Sequence, residues 1–293
     1  MLSMYDPGRF QILGLYNAGN LLNESEMPFD ALEKICLLIS QNPHIKRISI
    51  ESKPEYIDAE KLRRISAILQ GKEIEIGMGL ETLNAKVRDL CINKPYSRRL
   101  LEKKVDLMFS LGIIPKAYLL LKPPFLTEKE AIDDFLSSYQ QLHQMGIHRI
   151  DCETMTIEDH TLVHLLWQKN LYRTPWLWTI IYLLEQLKES KIYFTPFRYI
   201  VNSLAIAKNC EQCSQLVKNS IFNYQEGKLS LEELVKLDCS CKADWLADLN
   251  KTDERPIEAR VIDFLSNIEL LNGYSVEPLH TSIPESLEVN PNE

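Results

Sequence analysis

Apolar residues recur along this chain in two alternating rhythms. Short runs rich in branched and aromatic side chains, Phe10–Tyr16, Arg47–Glu51, Glu73–Met78, Ile114–Leu121, Ile147–Thr154 and Lys191–Thr195, read as β-strands. Between them Phe29–Ser40, Ala59–Leu69, Ala85–Ile92, Leu100–Leu111 and Ala131–Met145 place apolar residues three and four positions apart, which gathers them on one face of a helix. Strand, helix, strand at regular intervals predicts repeated βαβ units and a parallel sheet, open or barrelled. The expected fold class is α/β, a partial (βα) barrel of the TIM type. After about residue 200 the rhythm gives way to a short connector, two pairs of cysteines and a helical stretch to about Leu237. From Ser275 the chain is rich in proline, serine and acidic residues without periodicity. The expected division is a barrel over 1–200, a metal-binding C-terminal module over 201–272 and a flexible tail over 273–293.

Chemistry in such folds sits where strands end, at the C-terminal edge of the sheet. Polar residues occur at successive strand ends: Asn17, Gly19 and Asn20; Glu51, Ser52 and Lys53; Glu81, Thr82 and Asn84; Lys122; Glu153 and Thr154. Any one of them could simply start a loop or cap a helix. Their recurrence points to a shared cleft. A second signal is Cys210, Cys213, Cys239 and Cys241, a C-x-x-C and a C-x-C separated by 25 residues. Two tight turns offering four soft ligands suit a closed tetrahedral zinc site, with an iron–sulfur centre as the competing reading. Cys36, Cys91 and Cys152 are dispersed in apolar surroundings and read as core. His160 and His164 have the spacing of two helix-borne ligands, but no HExxH accompanies them and the surface reading prevails.

Composition narrows the classes. With 45% hydrophobic and 25% charged residues the chain is ordinarily globular. Its densest apolar stretch, Trp176–Leu187, is too short to cross a bilayer. Met1–Arg9 lacks the features of a secretion signal, so a cytoplasmic, reducing location is expected and the cysteines read as ligands or core. A net charge of −8 argues against a surface wholly devoted to nucleic acid, leaving Arg98, Arg99, Lys103 and Lys104 as a local basic cluster. No GxGxxG or GxxxxGK[ST] occurs, so a phosphate-loop nucleotide site is not expected.

Longer strings carry a resemblance. ESKPEYI (Glu51–Ile57), EIGMGLETLNAKVRDLCINK (Glu75–Lys94), KAYLLLKPPFLTEKEAIDD (Lys116–Asp134), LWQKNLYRTPWLW (Leu166–Trp178) and the CEQC and CSCKADW segments resemble the radical-SAM subunit of archaeosine synthase, a tRNA-modifying family, over roughly residues 10–250. The catalytic subunit of Elongator is more distantly similar. The resemblance implies a partial barrel holding S-adenosylmethionine across its strand ends, with Asn17, Gly19 and Asn20 near the methionine part. Glu51, Lys53, Glu81 and Lys122 would face the same cleft. Lys53 stands where the family pattern has arginine, which exchanges a planar fork for a point charge. The family also implies a [4Fe-4S] cluster held by three closely spaced cysteines, and these 293 residues contain no such triplet. Phe10–Tyr16 matches the family's second strand, so the first βα unit is expected to be missing. Three readings follow. The chain begins after the cluster-bearing unit of a radical-SAM enzyme acting on tRNA or a modified nucleoside; or it is a cluster-free relative that binds S-adenosylmethionine, RNA or a partner; or it is a structural subunit whose open barrel edge is covered by a protein partner.

Overall fold

The computed structural model describes residues 10–17, 19–188, 192–195 and 203–272. In chain order the elements are β1 (Ile12–Leu15), α1 (Phe29–Ser40), β2 (Arg47–Glu51), α2 (Ala59–Ile68), β3 (Glu73–Glu81), α3 (Arg98–Ser110), β4 (Ile114–Leu121), α4 (Glu128–Gln144), β5 (Arg149–Thr154), β6 (Ile157–Glu158), α5 (Leu162–Gln168), α6 (Leu177–Gln186), β7 (Ile192–Thr195), β8 (Ser203–Ala205), α7 (Ser214–Gln225), α8 (Leu231–Val235), α9 (Lys242–Leu249) and α10 (Ile257–Asn272). Six strands pair in parallel in the order β1-β2-β3-β4-β5-β7, forming a curled partial barrel, while β6 and β8 make a small antiparallel pair.

Alternation within the strands explains the layering. In β4, Pro115, Ala117, Leu119 and Leu121 are buried, and Lys116, Tyr118 and Leu120 alternate with them. Ile48, Ile50, Ile74, Ile76, Met78, Ile150 and Cys152 join the same core, which the apolar stripes of the helices complete. Local chemistry starts the helices where they are needed. Asp58 caps α2 by accepting from the Glu60 and Lys61 amides, and Thr127 with Glu130 forms a capping box at α4.

The strands and helices expected from periodicity are present within a few residues, with informative exceptions. β3 runs on to Glu81 rather than stopping at Met78. The expected helix over Ala85–Ile92 is a π-type turn over Val87–Ile92, ended by Asn93 at φ 55°. The β6 and β8 strands are too short to show a period, and residue 191 lies outside the described residues. Cys36, Cys91 and Cys152 are buried as expected.

The chain divides into two compact units, up to Asp253 and from Glu254 onward. Cys210, Cys213, Cys239 and Cys241 belong to the same unit as the barrel, and α10 to the second. The tail expected over 273–293 lies outside the described residues. No described helix is long and apolar enough to cross a membrane.

Candidate functional site

The inward face of the sheet is polar, and its charges change character from one end of the strands to the other. Near the strand starts they are paired: Arg47 with Glu73 at 2.6 Å, Arg149 with Glu75, and Lys116 with Asp151 at 2.5 Å, while Ser49 donates to Glu75. At the C-terminal edge Glu51, Glu81 and Glu153 converge. Burial first, then the charges of Asp151, Glu81 and Glu51, push the Glu153 pKa upward, against a hydrogen bond from Thr195. Lys94 reaches Glu81 at 2.6 Å, and the Tyr118 hydroxyl donates to Glu51.

Two glycines make this edge possible. A Cβ at Gly77 would lie 2.6 Å from the Tyr118 ring, so only glycine lets Tyr118 cross from β4 over β3 to Glu51 on β2. A Cβ at Gly79 would come within 2.7 Å of the Lys94 ammonium that lies across it. The β3–β4 register slips between Gly79 and Glu81, and Glu81 has φ 62°, a strained non-glycine conformation that re-aims its side chain at the strand end.

The loop after β1 is fastened to the same edge. Glu26 accepts from the Asn20 backbone amide, the Asn20 side-chain amide and Asn23, while Asn20 Oδ1 accepts from the Lys53 amide. Asn20 is thus committed at both ends and positions the loop, with Gly19 packed against the Glu26 carboxylate. Asn17 Oδ1, just after β1, is buried with no hydrogen-bond partner. The structure therefore ties Asn20 to the Lys53 amide and gathers Glu51, Glu81 and Glu153 at the strand ends, with Asn17 and Gly19 following β1.

Lys122 departs from the expectation. It sits at the end of β4, but at φ 63° its ammonium turns to Glu128 at the start of α4, 2.6 Å away, and both side chains are buried. Its amine is satisfied within the protein and shapes the strand end rather than facing the cleft. Glu26, Lys94, Tyr118 and the two glycines escaped the sequence reading. The G-x-G at Gly77 and Gly79, two small residues on one face of a strand, was the available signal. The basic cluster is likewise engaged in part: Arg98 bonds Glu102 and Gln141, and Lys104 donates to the Ile57 carbonyl. His164 bonds Asp159 at 3.0 Å.

The second site lies at the four cysteines. Cys210 and Cys213 lie in the turn before α7, and Cys239 and Cys241 in the turn before α9. Their sulfurs all lie within 4.8 Å of one another, with 3.7 Å for Cys210 to Cys213 and to Cys239 and 3.6 Å for Cys213 to Cys241. These separations exceed a disulfide bond and match the roughly 3.8 Å edge of a tetrahedron whose metal–sulfur bonds are about 2.3 Å. A cubane of four irons would need its thiolates spread much farther apart. Donors surround the sulfurs. Trp178 Nε1 donates to Cys241, the Cys213 amide lowers the Cys210 pKa, and the buried Asn209 Nδ2 has no partner. Burial first, then the hydrogen bonds from Cys241, Cys210 and Cys239, push the Cys213 thiol up, crowding that a metal ion would relieve. The residues fit one four-coordinate metal. By contrast Cys36, Cys91 and Cys152 lie on α1, the π-type turn and β5, and they do not fit a cluster-binding triplet.

Comparison with known proteins places the chain. No protein-family model matches it. It is 31% identical to an uncharacterized protein of Methanocaldococcus jannaschii, over 80% of this chain and 64% of that one. Archaeosine synthase subunit beta of Methanosarcina acetivorans is 30% identical, over 79% of this chain and 67% of that one. The chain thus spans about two thirds of the length of these curated relatives. Among solved structures, the archaeal Elp3 of Methanocaldococcus infernus superposes with a TM-score of 0.52 at 16% identity, covering 74% of this chain and 55% of that one. The partial barrel is therefore of the Elp3 kind, and the chain belongs to the family of archaeosine synthase subunit beta.

Proposed function

We propose that this chain supplies the S-adenosylmethionine-binding cleft of a tRNA-modifying radical-SAM assembly. The observation that carries the reading is the cleft rim itself: Glu51, Glu81 and Glu153 gather at the strand ends, and the orphaned acceptor of Asn17 follows β1 on the same sheet. S-adenosylmethionine carries a sulfonium and an α-ammonium, and cations of that kind would offset the like-charge crowding that adds to burial in raising the Glu153 pKa. Asn17 would accept from the ammonium, and Gly19, held by Glu26, would let the backbone approach the methionine part. Glu51, steadied by Tyr118, and Lys53 would meet the polar parts of the nucleoside. The cofactor and its cluster, where bound, supply the radical chemistry, and this chain's residues bind and orient. The cysteines present do not fit the [4Fe-4S] cluster, so no step is assigned to it here.

Zinc is the metal proposed for Cys210, Cys213, Cys239 and Cys241, because four thiolates at tetrahedral separations close every coordination position and suit a structural ion. A tRNA or modified nucleoside is the proposed substrate class. A protein partner would adjoin β1, which among the described residues lies at the edge of the six-stranded sheet, with Ile12 and the following Tyr16 exposed. Isothermal calorimetry of the full chain with S-adenosylmethionine tests the cleft. Saturable binding that Glu51→Gln and Glu81→Gln each weaken about tenfold is expected, each change removing one charge-assisted contact. Absence of saturable binding by the folded chain refutes the reading.

A further inference from the structure

The cysteine centre and the C-terminal end of β4 are joined through α9 and a run of polar contacts, most of them buried. Cys241 immediately precedes α9, and α9 carries two side chains back to the barrel. Trp245 Nε1 donates to Thr179 Oγ1 at 2.9 Å, and Asp248 accepts from Trp176 Nε1 at 2.8 Å. Thr179 hands the contact on to Glu128 Oε1, which also accepts from the Trp176 amide at 3.2 Å. The other Glu128 oxygen holds the Lys122 ammonium, and Tyr172 donates to the Lys122 carbonyl at 2.7 Å.

The direction of every bond is fixed by chemistry. An indole N–H can only donate and a carboxylate can only accept, so the Thr179 hydroxyl must accept from Trp245 and donate to Glu128. Thr179 is 1% exposed and Glu128 3%, so water cannot replace a lost partner without opening the packing. The last link is strained. Lys122, with φ 63°, and Phe125, with φ 69°, bracket two prolines at the end of β4, and such conformations persist only where the surroundings hold them.

We propose that the four-cysteine centre is a positioning element for the cleft, fixing the C-terminal end of β4 through Trp245, Thr179 and Glu128, so that metal occupancy sets the order of residues 121–128. Thr179, Trp245 and Glu128 are positioning residues, since none of them touches the cleft rim. The inference rests on the metal reading above, and its test separates the two.

Hydrogen–deuterium exchange of the full chain, read by mass spectrometry beside elemental analysis of each sample, provides that test. Thr179→Val keeps the side-chain shape and removes both bonds, and Thr179→Ser restores them. The expected result is that Thr179→Val retains its metal while peptides spanning 119–130 exchange roughly tenfold faster, the effect of leaving a buried donor and acceptor unpaired. Thr179→Ser should exchange as wild type does. Stripping the metal should speed exchange in 119–130 as well as in 239–249. Trp245→Phe, which leaves the threonine in place, should reproduce the effect should the valine variant fold poorly. Purified chain without metal overturns the metal reading. Metal-loaded Thr179→Val and Trp245→Phe with wild-type exchange over 119–130 overturn the relay alone.

Discussion

Asp134 lies on α4 with its carboxyl turned to the loop after β3, where Thr82 Oγ1 donates to it at 3.0 Å and bonds Ser138 at 3.2 Å. Burial pushes its pKa up to about 6, against hydrogen bonds from Thr82 and Asn84 that pull it down. In the unfolded chain the same carboxyl titrates near about 3.9. The folded state therefore binds this proton more tightly than the unfolded state does. The stability it contributes is fully present below about pH 4 and is lost as pH rises through about 6. Two pH units at about 1.4 kcal/mol each give roughly 3 kcal/mol as an upper bound. Asp134→Asn preserves an oxygen for Thr82 and cannot ionise. Relative to wild type, the variant should gain roughly 2–3 kcal/mol between pH 4 and pH 8. Urea unfolding of both proteins at pH 4.5, 6 and 8, followed by circular dichroism, reads the difference, and metal release at low pH cancels because both proteins share it. A difference between the two proteins that stays flat with pH, or grows toward low pH, refutes the reasoning.

Three other changes test separate parts of the structure. Cys239→Ser should reduce bound metal from one ion per chain to a small fraction by elemental analysis, because a four-thiolate site loses a closing ligand. Gly77→Ala places a methyl 2.6 Å from the Tyr118 ring, so it should displace Tyr118 from Glu51 and lower S-adenosylmethionine affinity by about tenfold in calorimetry while the urea midpoint moves little. Leu62→Ala empties a fully buried position on α2 and should cost about 2–5 kcal/mol in urea unfolding without affecting that affinity.

The barrel was legible because burial alternates along strands such as β4 and β5 and recurs every three to four residues along α1 and α4, and each rhythm is a local property of the chain. The metal centre was legible for a related reason: two tight turns carry their ligands at short spacing. The cleft was legible only at its rim. Glu51 and Glu81 end strands and so announce themselves. Tyr118 is an ordinary inward position until Gly77, on the neighbouring strand, shows why it can lie flat. Lys122 misled because a strand end in the left-handed region turns its side chain away from the direction that alternation assigns. Glu128 reads as a capping-region acid, and its partners in the Trp176 and Thr179 segment lie 48 and 51 residues farther along, where no local pattern can reach.

The gradient of charge along the inward face explains why the cleft lies at one end only. Near the strand starts each acid has a basic or hydroxyl partner on a neighbouring strand: Glu73 with Arg47, Glu75 with Arg149 and Ser49, Asp151 with Lys116. Such closed pairs leave little net field for a ligand, and in a confined, weakly screened space they also resist rearrangement. At the strand ends the count changes. Among the described residues, Glu51 has a neutral phenol as its partner, Glu153 a threonine, and Glu81 the Lys94 ammonium. Among the described residues Glu51 and Glu153 lack a cation partner, so the sheet whose charges are paired at its base carries uncompensated acid at its rim, the feature on which the proposed binding of a cationic ligand rests. The strained backbone at Glu81 belongs to the same edge, where the Lys94 ion pair and the neighbouring strands hold it.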